Sequence, residues 1–236
     1  MPAASLPRIA VIIPAHNEAG AIAQVIAEIP AGLVCEVIVV DNNSTDDTAA
    51  VARAAGATVL REERPGYGYA CLAGMAHAFG RPETERPDII VFLDGDHSDY
   101  PAEMPALLAP ILRGAADMVI GSRALGRRER GAMLPQQLFG NWLATRLLHR
   151  LYGVRYTDLG PFRAIRTGAL QRLDMQDKTY GWTVEMQLKA ARQGLRTTEV
   201  PVRYRRRIGT SKISGTVQGT LGAGYKILWT IFRHLF

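Results

Sequence analysis

Three continuous apolar runs constrain the fold more than any other feature of this chain: Arg8 to Ile13, Cys35 to Val40 and Ile89 to Leu93. After their first residues they do not alternate apolar with polar positions, so each reads as a strand buried on both faces. Shorter strands are expected at Thr58–Leu60, Asp117–Ile120 and Arg196–Tyr204. Helical stretches separate them: about Ala19–Ile29, a helix capped by Ser44 or Thr45 and ended by Gly56, Tyr67–Phe79 before Gly80, and Pro101–Arg113 before Gly114. Strands alternating with helices predict an α/β domain with a mostly parallel open sheet and helices on both faces.

In such sheets ligands bind beyond the carboxyl ends of the strands. Pro14-Ala15-His16-Asn17-Glu18, Asp41-Asn42-Asn43 and Asp94-Gly95-Asp96 all fall there. Polar groups far apart in sequence therefore converge on one crevice. Two like charges about 4 Å apart repel by roughly 1 kcal/mol in water and roughly 4 kcal/mol at an effective dielectric of 20. A divalent cation removes that penalty for Asp94 and Asp96. Hard oxygen ligands favour Mg²⁺ or Mn²⁺, ions that commonly bridge to phosphate oxygens. Two solvated loop aspartates are the plain alternative, and His97 beside them is either an extra ligand or an outer neighbour.

The 236 residues and 47% hydrophobic content suit one domain with a large core. Cys35 and Cys71 read as buried small hydrophobes, not as a disulfide or zinc framework, which suggests a reducing compartment. Met1 to Pro7 lacks the features of a signal peptide. The net charge of +6 suggests phosphate-rich partners. Nucleic acid is not expected, because no binding motif or aromatic-studded basic strand is present.

The second half reads as an extension serving another substrate: a long helix from Pro135 to Leu151, a helix from Thr183 to Gln193, and basic residues at Arg127, Arg128, Arg130, Arg203 and Arg205 to Arg207. Asp99, Asp158 and Glu185 are candidate bases. Glu185, in the first turn of its helix, reads equally as a surface residue complementing the dipole. Trp182 and Tyr180 suit contact with sugar or lipid, or core packing. No run reaches the roughly 20 apolar residues of a membrane span. A tail helix puts Leu221, Tyr225, Leu228, Phe232 and Leu235 on one face and Lys226, Thr230, Arg233 and His234 on the other. It either lies in a bilayer interface or packs on the domain or a second copy, as in a homodimer.

With these motifs in view, the chain resembles the family 2 glycosyltransferases of the GT-A fold, and within them the polyprenyl-phosphate (dolichyl-phosphate) mannose or glucose synthases. The resemblance rests on Val11–Glu18, Val40–Asp46, Phe92–Asp96, Gly121-Ser122-Arg123, Gly160–Arg163 and Gly209-Thr210-Ser211-Lys212. It implies a domain over 1–214, with a nucleotide-sugar half to 122 and an acceptor half from 123, followed by the amphipathic helix of 215–236.

It further implies inverting transfer of a hexose from UDP-glucose or GDP-mannose to a polyprenyl phosphate, with a hydroxyl acceptor as the alternative. The setting would be the cytoplasm, with peripheral contact at the inner face of the membrane. Pro14, Ala15, His16, Glu18, Asp41, Asn43, Gly68, Asp94 and Gly95 would bind the nucleotide sugar, with Mg²⁺ or Mn²⁺ on Asp94 and Asp96. Asp96, Arg123, Arg206, Lys212 and Glu185 would serve catalysis, and Arg130, Arg163 and Ser211 the acceptor. Two positions depart from the synthase pattern. Leu159-Gly160-Pro161-Phe162-Arg163 replaces a Ser-Gly-Phe-Arg approach, and Ser98 stands where Gln is common. A nucleotidyltransferase would want a Gly-rich basic loop after the first strand, and a binding protein without catalysis would not need the intact acid pair.

Overall fold

The computed structural model describes residues 6–209 and 217–234. One seven-stranded sheet organises it: β1 Ile9–Ala15, β2 Glu36–Asp41, β3 Thr58–Arg61, β4 Ile89–Phe92, β5 Met118–Ser122, β6 Arg163–Arg166 and β7 Thr197–Pro201. The order is β3-β2-β1-β4-β6-β5-β7. The ladders β1–β2, β1–β4, β2–β3 and β5–β7 are parallel. Strand β6 runs antiparallel between β4 and β5, so the sheet is mixed but mostly parallel.

Strand β1 feeds both layers. Ala10 and Ile12 point into one core with Ile38, Val40 and Phe92, while Val11 and Ile13 point into the other with Val39 and Val91. Burying an aliphatic side chain this fully is worth about 1.5–3 kcal/mol, which is why a continuous apolar run settles in the middle of the sheet. Around it lie α1 Ile22–Ala27, α2 Thr48–Ala54, α3 Tyr67–Phe79, α4 Met104–Leu112, α5 Pro135–Tyr152, α6 Thr167–Leu173, α7 Trp182–Arg192 and α8 Val217–Arg233. Helix α1 starts later than its sequence suggests. Asn17 takes φ +54°, and the Glu18 carbonyl accepts from Ala21 and Ile22 N–H, both at 2.9 Å, closing a turn before the helix.

Three expectations change. The segment from Arg163 is a strand, unforeseen because four residues bounded by arginines lack an apolar run. Cys71 is buried but Cys35 is exposed, since it precedes β2 instead of lying in it. The tail helix is also turned relative to its helical wheel. Thr230 and Ile231 are buried, while Tyr225 and Phe232 are 71% and 48% exposed. Ile227 and Ile231, one turn apart, form the stripe that packs inward. Thr230 satisfies its own hydroxyl on the Lys226 carbonyl at 2.8 Å, so its burial leaves no orphan. The Leu221 side chain and Leu235 lie outside what is described.

Candidate active site

The parallel register sets Ala15 beside Asp41, and the Asn42 N–H donates to the Ala15 carbonyl at 2.8 Å. The ends of β1 and β2 thus form one wall. Asn42 ties it together. Its amide nitrogen donates to the carbonyls of Glu62 at 3.1 Å and Arg64 at 2.7 Å. Its side-chain oxygen accepts from Gly66 N–H at 2.8 Å, and its own carbonyl lies 2.8 Å from His16 Nδ1. Arg64 reinforces the turn by pairing with Glu62 at 2.7 Å, and that hydrogen bond holds the Glu62 carboxyl down at about 2. Gly66 takes φ +147°, and a Cβ there would meet the Lys178 carbonyl at 2.3 Å. Only glycine lets the chain enter α3 at this point.

Asp94 and Asp96 follow β4 at the floor. Tyr67 donates its hydroxyl to Asp94 at 3.1 Å. Burial, and then the charge of Asp96, push the Asp94 carboxyl up to about 7. Asp96 accepts from Ser98 N–H at 2.9 Å and from its hydroxyl at 2.5 Å. Its other oxygen pairs with Arg207 at 2.7 Å. With Asp96 buried and Asp94 half-buried beside it, the carboxylate pair calls for a cation, and Arg207 supplies one to Asp96. The oxygen-only donor set and the raised Asp94 value suit a hard divalent ion that takes one or two carboxylates and fills its remaining positions with phosphate oxygens and water.

The residues after β7 run along the floor loop. Arg205 N–H donates to the Ser98 carbonyl at 2.9 Å and Ile208 N–H to that of Asp96 at 3.0 Å. The Arg205 side chain pairs with Glu28 at 2.7 Å, and so does His97 at 2.9 Å. His97 is therefore an outer neighbour of the acid pair. Arg123 is gripped by Asp158 through three bonds of 2.7–2.8 Å. Burial works against its charge, but the Asp158 carboxylate more than offsets that and keeps it cationic.

These parts enclose a cleft of about 610 Å³. Of the residues singled out in the sequence, Pro14, Ala15, His16, Glu18, Asp94, Gly95, Asp96 and Arg123 line it, together with Tyr180 and Trp182. Others are elsewhere. Asp41 is buried and accepts from Ser44 N–H at 3.1 Å. Asn42 lines the cleft where Asn43 was expected; Asn43 sits in the turn behind it at φ +59°. Gly68 packs α3 against the neighbouring loop, and a Cβ there would meet the Asp177 carbonyl at 2.1 Å. Arg206 points outward, its Nε donating to the Arg130 carbonyl at 2.9 Å, and Arg207 takes the inward position. Arg130 is exposed.

Arg163 is wholly buried. Its guanidinium donates to the carbonyls of Leu159, Gly160 and Thr183, bracing the loop instead of reaching an acceptor. Glu185 is 2% exposed. It accepts from Gln176 and Asp177 N–H at 3.0 and 2.8 Å and pairs with Lys189 at 2.8 Å. Both Asp99 oxygens are buried without a hydrogen-bond partner; burial and then the charge of Asp94 push that carboxyl well up. Ser211 and Lys212 lie outside the described residues.

Sequence reasoning also missed Pro65, Gly66 and Tyr67, although a Pro-Gly step opening a helix is a signal for a ligand-facing N-terminus. It missed the rim as well: Gln136, Gln137, Gly140 and Asn141 from α5, and Ala223, Gly224 and Ile227 from α8. Only tertiary packing brings those helices to the cleft.

Comparison with known proteins agrees with this geometry. The family described as glycosyl transferase family 2 matches residues 10–174. An uncharacterised glycosyltransferase of Mycobacterium tuberculosis is 36% identical over 215 residues, covering 90% of this chain and 93% of that protein. The undecaprenyl-phosphate mannosyltransferase of Micrococcus luteus is 30% identical over 224 residues, covering 90% of each. Among solved structures, glucosyl-3-phosphoglycerate synthase from Mycobacterium tuberculosis, in complex with Mn²⁺, UDP and glucosyl-3-phosphoglycerate, superposes with a TM-score of 0.76 at 25% identity, over 97% of this chain and 80% of that one. With two carboxylates closing a cleft at the ends of β1, β2 and β4 in a sheet of this kind, the chain belongs to glycosyltransferase family 2, with the GT-A fold, and is a glycosyltransferase.

Proposed function

We propose that this enzyme transfers a hexose, with inversion, from a nucleotide-diphosphate sugar of the UDP-glucose or GDP-mannose type to a polyprenyl phosphate. One observation favours an acceptor that is already anionic. None of the three carboxylates that the sequence offers as a base is free in the cleft: Asp158 is bound to Arg123, Glu185 to backbone N–H groups and Lys189, and Asp99 lies behind the lining with its protonated form favoured. The cations Arg123 and Arg207 do line it. A hydroxyl nucleophile needs a base; a phosphate oxygen needs only cations to hold it.

In this reading the nucleoside lies against Pro14, His16, Asn42 and the Pro65-Gly66 turn. Asp94 and Asp96 would hold Mg²⁺ or Mn²⁺, which supplies Lewis-acid stabilisation of the departing diphosphate. Arg207, freed from Asp96, is on hand for the same negative charge. Arg123, oriented by Asp158, meets the acceptor phosphate. A phosphate oxygen attacks the anomeric carbon from the face opposite the nucleotide. The bond to the donor diphosphate breaks, and the nucleoside diphosphate leaves with the electron pair. No proton has to move. The name of the Micrococcus luteus relative supports a polyprenyl carrier, which would put the reaction at the inner face of a membrane.

A soluble phosphorylated acceptor is the second reading, favoured by the glucosyl-3-phosphoglycerate held in the similar mycobacterial structure. Parallel incubations with labelled UDP-glucose or GDP-mannose, Mg²⁺ or Mn²⁺, and either extracted polyprenyl phosphate or phosphoglycerate separate the two. The proposal expects acid-labile label in the organic phase. Label found only in water-soluble product with phosphoglycerate would overturn it.

A further inference from the structure

Helices α5 and α8 pack side by side; the Tyr152 hydroxyl at the end of α5 donates to the Ile231 carbonyl of α8 at 2.5 Å. Gln137 and Gly140 of α5 and Ala223 and Ile227 of α8 form the cleft rim. Their outer surfaces are apolar where solvent-facing helices are normally polar. On α5, Leu138, Phe139 and Trp142 are 38%, 61% and 54% exposed, and on α8, Tyr225, Trp229 and Phe232 are 71%, 38% and 48% exposed. The spacings 138/139/142 and 225/229/232 keep each set on one helix face.

Charge is just as uneven. The 18 residues of α5 and the 17 of α8 include no Asp or Glu, although the chain has 22 such residues among 236. The charged residues there are cations. Arg146 and Arg150 are exposed on α5, continuing from Trp142. On α8, Lys226 and Arg233 lie over the Trp229 ring at 4.4 and 4.7 Å. No described helix is long and apolar enough to cross a membrane.

We propose that the outer faces of α5 and α8 dock on an anionic lipid bilayer and hold the cleft rim at its surface. Lys226 is already paired with Asp177 at 3.2 Å, so Arg146, Arg150 and Arg233 are the cations left to meet lipid. Exposed aromatic side chains beside them, on helices with no Asp or Glu of their own, suit the headgroup layer of such a bilayer. A second copy of the chain is the poorer occupant, because pairing this face with itself would oppose like charges. The inference deepens the lipid-phosphate reading and rests on it for its purpose; its test uses neither donor nor acceptor.

The full chain is centrifuged with vesicles of phosphatidylcholine alone or mixed with phosphatidylglycerol. Binding is expected only to the mixed vesicles and should fall as salt rises. Phe139→Ser combined with Trp142→Ser, and separately Arg146→Glu combined with Arg150→Glu, should each reduce partitioning by at least about tenfold. In Trp229→Phe, Trp142 is the one exposed tryptophan left, Trp182 being buried, and its emission should shift to the blue with mixed vesicles. Circular dichroism checks the fold of each variant.

No binding by wild type, equal binding to phosphatidylcholine alone, or a lipid-free dimer abolished by the Phe139/Trp142 change would overturn the proposal. Vesicle binding without sugar transfer to lipid would leave this surface standing and remove the acceptor. Transfer in detergent without vesicle binding would do the opposite.

Discussion

Arg207 holds Asp96 at 2.7 Å, while Arg206 beside it turns outward to the Arg130 carbonyl. Arg207→Ala should therefore lower kcat by about a hundredfold, in the range of a lost charge-stabilising donor. Arg206→Ala should stay within about twofold of wild type. Steady-state kinetics on both variants checks the contrast. Both arginines lie in one basic run, and the sequence could not say which faces in; β7 ends at Pro201 and strand alternation no longer sets the parity. Asn42 and Asn43 pose the same problem one residue past β2.

Arg163 illustrates a different ambiguity: an Arg in a recognised motif proves to be a brace. Arg163→Ala takes the guanidinium donor from the buried carbonyls of Leu159 and Gly160 and empties a fully buried site. It should cost about 3 kcal/mol or more of stability, read from denaturant unfolding. Asp94 makes a pH prediction. Its folded pKa of about 7 lies above its ordinary 3.8. Its contribution to stability is fully present below the lower value and is lost as pH rises through the upper one. The difference in unfolding free energy between the metal-free wild type and Asp94→Asn should move against wild type over that interval. Mn²⁺ affinity should fall about tenfold per pH unit below 7, because binding requires the proton to leave.

At the scale of elements, β1, β2 and β4 were legible because burial on both faces erases polar alternation. Helix α3, expected from about Tyr67 to Phe79 with Gly80 closing it, was legible at both ends. Strand β6 was not, since its antiparallel place between β4 and β5 is a property of the assembled sheet. The orientation of α8 was also hidden: a wheel ranks hydrophobicity, but Ile227 and Ile231 have neighbours to pack on and Tyr225 does not. Packing makes Gly68 a test of how α3 is seated. A Cβ there would meet the Asp177 carbonyl at 2.1 Å, a backbone atom with little freedom to yield. Gly68→Ala should destabilise by about 2–4 kcal/mol and lower Tm. An unchanged Tm would mean that the Asp177–Lys178 loop sits farther from α3 than described.

For the whole molecule, the sheet brings Pro14, Asn42 and Asp94, from three parallel strand ends, to one cleft, and α5 and α8 provide its rim. The sequence disclosed the convergence but not the rim, because convergence follows from strand polarity and the rim from packing between distant helices. The central claim is that this convergence makes a metal-dependent nucleoside-diphosphate site. Titration calorimetry with UDP and with GDP, in the presence and absence of Mn²⁺, tests it most directly. One nucleotide should bind wild type only with the metal, and Asp96→Asn, still folded by circular dichroism, should lose at least about tenfold in affinity. Equal binding without Mn²⁺, or undiminished binding to Asp96→Asn, would contradict it.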